Sequence, residues 1–81
     1  MIHDTEINSR LERLSLRIKK ARRDLELSRD ELADRSDLIS KNALERWERG
    51  AHLPGAKQIV ALARVLEVSS DYLLGLDRDP V

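Results

Sequence analysis

Between residues 28 and 50 the chain reads SRDELADRSDLISKNALERWERG, and this stretch leaves few folds open. Ser28 followed three residues later by Glu31 is a capping box: the hydroxyl accepts from an early helical N–H, and the carboxylate reaches back to the N–H of the cap. Leu32 and Ala33 supply the apolar side of the helix so begun, which fades near Arg35 and Ser36. Asp37, Leu38 and Ile39 then form a turn, with Leu38 or Ile39 buried beneath it. Ser40 caps a second helix that runs to Arg49, and Gly50 ends it in a left-handed conformation. Leu44 and Trp47, with Ala43 beside them, fall on one stripe at helical spacing. Lys41, Asn42, Glu45, Arg46 and Arg49 are left facing out.

Two short helices at a steep angle, the second polar and exposed near its start, match the helix-turn-helix that reads DNA. The flanking segments are helical as well. Upstream, Ile7, Leu11, Leu14, Ile18, Ala21 and Leu25 recur at steps of three and four. That spacing predicts one amphipathic helix of about four to five turns, preceded by a frayed Met1–Thr5 in which Asp4 is a plausible cap. Downstream, Pro54 and Gly55 open a helix with Ile59, Leu62, Ala63 and Leu66 on its apolar face and Val60 and Val65 at its flanks. Ser69 caps a short fifth helix; Tyr72, Leu73 and Leu74 lead to Gly75 as its stop, and Asp77 to Val81 form a polar tail.

Eighty-one residues make one small domain, 1–81. A chain of this size buries roughly 60% of its potential surface, so it needs an efficient helical core or a partner subunit. Without cysteine, neither a disulfide nor a thiolate metal site supports the fold, and His3 and His52 stand too far apart to suggest a metal site. The chain holds no Ser/His/Asp or Cys/His set and no glycine-rich phosphate loop, so the expectation is a protein without enzymatic activity, metal or cofactor. No apolar run is long enough to span a bilayer and no leader pattern opens the chain, so no membrane partner and a cytoplasmic location are expected.

The net charge of zero hides an uneven distribution. Residues 10–23 carry seven Arg or Lys against one Glu, whereas residues 24–37 carry six acids against two Arg. One side of the molecule should therefore be basic, which suits reading of a particular site better than indiscriminate coating of DNA. Arg10, Arg13, Arg17 and Lys20 line one flank of the first helix. They either form a solvated face that complements acids on the second helix, or attract phosphates and add affinity without sequence information.

Four blocks, L-S-R-D-E-L-A, S-K-N-A-L-E-R-W-E-R-G, L-P and V-S-S-D-Y-L-L-G, occur in an order that resembles the phage-repressor (Cro-like, xenobiotic-response-element) helix-turn-helix family. The resemblance runs from about Leu16 to Gly75, with the helix-turn-helix proper at 28–50. It implies an all-α, compact five-helix lambda-repressor-like DNA-binding domain. The family's first helix usually begins nearer Leu14, so the first helix here is extended. The added turns from Ile7 to Arg13 either lengthen the core helix or offer Ile7 and Leu11 to another subunit. Two departures stand out. Glu26 occupies a place where many relatives have glycine. The turn between the two helices is one residue longer than the common spacing, assigned to Leu38-Ile39, with Asp37 where glycine is frequent.

The resemblance also implies site residues. Lys41, Asn42 and Arg46 would read bases, with Ser40 touching a phosphate; the chemistry agrees, since Asn can bond both edges of adenine and Lys or Arg can bond guanine O6 and N7. Ala43 can touch a thymine methyl. Glu45 can accept from a cytosine amino group, although pairing with Lys41 or Arg49 is the favoured reading. Ser28 and Arg29 stand at a helix start that would face the backbone. There the macrodipole favours a phosphate and Arg29 adds a charge-assisted bond, unless Arg29 pairs with Asp30 or a neighbouring carboxylate. Arg22 and Glu48 would form a structural pair that fixes the reading helix to the first helix, with Trp47 in the core. His52 and Lys57 promise only a thin backbone grip after the reading helix, and Tyr72, Leu76 or Val81 would lie in a dimer interface.

The function so implied is a sequence-specific double-stranded DNA-binding regulator of transcription, a repressor acting as a homodimer on a palindromic operator. The alternative is a helical interaction module, or antitoxin-like partner binder, that docks a protein instead. Zero net charge, an acidic second helix and the extended first helix support that alternative.

Overall fold

The structure, a computed structural model, describes residues 4–76, including the side chains of Ser9 and of residues 12–76. The side chains of Ile7, Arg10 and Leu11, together with His3 and the tail from Asp77 to Val81, lie outside the described residues. Five helices follow in order: α1 (Asp4–Asp24), α2 (Arg29–Ala33), α3 (Lys41–Arg49), α4 (Ala56–Leu66) and α5 (Ser70–Leu74). No strand occurs among the described residues, and none of the helices is long and apolar enough to cross a membrane. At 21 residues α1 is longer than its apolar spacing predicts, and Asp4 and Thr5 belong to it instead of fraying.

The apolar stripe of α1 becomes the floor of the core. Leu14, Ile18 and Ala21 are buried, and α1 packs on α3, α4 and α5. Ile18, Leu32, Leu44, Leu62 and Leu73, one from each helix, are fully buried. Each contributes roughly 1.5–3 kcal/mol by leaving water. In α4 the predicted face is buried through Ile59, Leu62, Ala63 and Leu66, while Val60 stays half exposed at 53%. In the α2–α3 turn Ile39, only 3% exposed, is the residue that goes under, and Leu38 is left at the surface.

Helix ends follow two devices. Ser28, Ser40 and Ser69 cap α2, α3 and α5 by accepting from Glu31, Ala43 and Tyr72 N–H at 3.0, 3.1 and 3.0 Å. The Ser28 N–H donates to Glu31 Oε1 at 3.0 Å, completing the capping box. That backbone N–H holds the Glu31 carboxyl below the usual carboxylate range.

At the other ends, α1, α3, α4 and α5 close by one pattern. Leu27, Ala51, Val68 and Leu76 donate to the carbonyls of Arg22, Arg46, Ala63 and Asp71, while Glu26, Gly50, Glu67 and Gly75 donate one turn inside them. This is the Schellman arrangement, which requires a left-handed residue at the inner position. Gly50 and Gly75 adopt it freely, at φ 75° and 72°. Glu26 and Glu67 adopt it at φ 57° and 60°, against the preference of a residue with a Cβ.

Candidate nucleic-acid interface

The geometry of α3 follows from its two faces. Leu44 and Trp47 anchor it in the core, and Lys41, Asn42, Glu45, Arg46 and Arg49 are exposed on the opposite side. Asn42, Glu45, Arg46 and Arg49 line a shallow polar depression along that side. Ala43 is half buried and packs against the core, so its methyl lies at the edge of the exposed face. Ser40 and Ser28 are both exposed. Each hydroxyl accepts a capping bond and keeps its own proton to donate.

Behind the exposed face sits a charged brace. Arg22 Nε and Nη2 donate to Glu48 Oε2 and Oε1 at 2.7 and 2.9 Å, and Arg22 Nη1 donates to the Leu27 carbonyl at 2.8 Å. Arg22 and Glu48 are both buried. The fork-to-carboxylate geometry gives two parallel charge-assisted bonds, and the hydrogen bond to Glu48 raises the Arg22 pKa above its ordinary value. The pair expected between these residues is present, and it joins α3 to α1.

Arg29 completes the brace from α2. Its Nε donates to Glu48 Oε1 at 3.2 Å, so its partner is Glu48, with 38% of its side chain still exposed. Lys41 Nζ lies 3.3 Å from Asp30 Oδ1, an exposed pair between the starts of α2 and α3. Among the described residues Glu45 makes no ion pair with Lys41 or with Arg49. Lys41 meets Asp30 instead, across the two helix starts.

The basic flank of α1 divides in a way its spacing did not show. Arg17 donates to the Tyr72 carbonyl and lies over the Tyr72 ring, 4.8 Å from the centroid, which fastens α1 to α5. Lys20 pairs with Asp24 on its own helix at 2.9 Å, and this bond raises its pKa. Among the described residues Lys20 thus pairs within α1 and not with an acid of α2. Arg13 remains exposed. The aromatic–cation contact of Arg17 escaped sequence reading because residues 55 positions apart carry no periodic signal.

With this geometry in view, the helix-turn-helix family model matches residues 18–73, from the buried stripe of α1 to the buried leucine of α5. The chain belongs to the helix-turn-helix family. This is the family whose fold and DNA-binding class the four sequence blocks implied. The helix-turn-helix chain is also 34% identical over 64 residues to YobD of Bacillus subtilis (strain 168), an uncharacterized HTH-type transcriptional regulator. The match covers 79% of this chain and 56% of YobD, so the chain spans little more than half the length of that relative. No solved structure matches the chain significantly.

Proposed function

We propose that this helix-turn-helix chain regulates transcription by binding double-stranded DNA at a particular sequence, with α3 in the major groove. The observation that carries the reading is the exposed row Lys41, Asn42 and Arg46 on a helix braced from behind by Arg22, Glu48 and Arg29. Asn42 has the donor and acceptor that adenine requires, and Lys41 and Arg46 have the donors for guanine. Ser28, Ser40 and the free edge of the Arg29 guanidinium are suited to phosphates, because bonds to the backbone set register without reading bases. Ala43 offers a methyl to thymine from the edge of the same face. Two copies with α3 helices about 34 Å apart would meet a palindromic operator as a homodimer. Occupation of a promoter by such a dimer would repress it.

The test is selection from a random duplex pool at two salt concentrations, with Arg46→Ala as the control. A palindromic site should be enriched, and binding should weaken steeply as salt rises. Arg46→Ala should cost about 1–3 kcal/mol and relax preference at one base position. An unchanged profile would remove Arg46 from the readers, and no enrichment at low salt would defeat the DNA reading as a whole.

A further inference from the structure

Between the α2–α3 turn and α4 the surface opens into a groove of about 330 Å³. Its apolar lining comes from Leu38, Val60 and Val65, and its rim from Arg35, Lys57 and Arg64. Leu38 and Val60 are about half exposed, at 48% and 53%. On α4, Lys57, Val60 and Arg64 follow one another at steps of three and four, a second face turned away from the buried Ile59, Leu62 and Leu66. Among the described residues Lys57 and Arg64 take part in no ion pair, unlike Arg22, Arg29 and Lys41 on the neighbouring elements, while Arg35 acts electrostatically on Glu31, four residues before it.

We propose that this groove docks an acidic amphipathic helix of a protein partner. Apolar side chains one turn apart would cover Leu38 and Val60, and flanking carboxylates would meet Arg35, Lys57 and Arg64. A helix laid in a groove is anchored in this way by residues at i, i+3 and i+4, and adjacent exposed apolar side chains rimmed by charge mark such contacts. Charge complementarity selects the occupant. A second copy meeting the groove about a two-fold axis would set three cations against three, a repulsive arrangement. A phosphate backbone would satisfy the cations but leave Leu38 and Val60 against a polar strand, with no gain from their burial. The inference does not rest on the DNA reading, which uses α3 and the starts of α2 and α3; Lys57, expected to lend a thin backbone grip, is the one residue the two share.

A displayed library of helical peptides, selected against the full chain and against Val60→Asp, tests it. The intact chain should enrich peptides with Leu, Ile or Phe one turn apart among Asp and Glu. Amide shifts on adding an enriched peptide should centre on residues 35–38 and 57–65. Val60→Asp and Arg64→Glu should each weaken that peptide at least about tenfold, with melting and DNA selection as in the parent. No acidic–apolar enrichment, equal capture by Val60→Asp, or shifts centred elsewhere would overturn the proposal. So would loss of DNA enrichment in Val60→Asp, which would assign the groove to nucleic acid. Failure of DNA selection in the intact chain, with peptide docking retained, would defeat the DNA reading alone.

Discussion

Glu48 joins three helices through two oxygens: Oε2 accepts from Arg22 of α1, and Oε1 from both Arg22 and Arg29 of α2. Its carboxylate is almost wholly removed from water, with 1% of the side chain exposed. Removing one partner of such a pair strands the other charge in a poor solvent, and that penalty exceeds what the pair contributes over an apolar replacement. Glu48→Ala should therefore destabilise the fold by about 3–5 kcal/mol in denaturant unfolding. Glu48→Gln, which keeps an acceptor, should lose less. A Glu48→Ala chain that unfolds like the parent would show that Arg22 finds water or another acceptor. The Arg22–Glu48 pair was legible in the sequence through the family pattern. The third member was not, because Arg29 has an acid beside it at Asp30 and only the approach of α3 to α2 makes Glu48 the partner.

At the scale of elements, the starts of α2, α3 and α5 and the ends of α3 and α5 were legible, whereas the start of α1 at Asp4 was not. A serine cap is a chemical signature, and Ser28, Ser40 and Ser69 stand where the sequence predicts. Gly50 and Gly75 mark two ends equally well, since glycine adopts the left-handed turn without strain. The same turn made by Glu26 and Glu67 has no compositional mark, although the family pattern did point to Glu26 as a glycine position. Leu38 and Ile39 could not be separated, since adjacent apolar residues on a turn differ only in which way the turn faces. Forcing a residue with a Cβ into that conformation costs about 1–2 kcal/mol, and glycine returns roughly half of this as extra freedom in the unfolded chain. Glu26→Gly should thus stabilise the chain by about 0.5–1 kcal/mol, seen as a higher melting midpoint. An unchanged or lower midpoint would mean that the Glu26 side chain offsets its own strain.

Across the whole molecule, one core is shared by all five helices, and Trp47 is its largest side chain. It reaches that core from α3 and is 7% exposed. Trp47→Ala should cost about 3–5 kcal/mol, read by circular dichroism during urea unfolding; a variant that unfolds with the parent would show that the surrounding leucines collapse into the space. The apolar periods of α1 and α4 foretold this core, whereas the contacts that orient helices against one another, such as Arg17 on Tyr72, depend on distances that no period encodes.

The placement of Trp47 has an optical consequence. The chain has a single tryptophan, a single tyrosine and no phenylalanine. That indole sits at the inner side of α3, beside a half-open pocket shared with Ser15, Gly50 and Leu53. Excited at the red edge of the indole band, beyond tyrosine absorption, an unlabelled sample therefore emits from one address in the molecule, on the inner side of the helix proposed to enter the major groove. Its colour and quenching report how α3 is seated in solution, with no second indole to subtract.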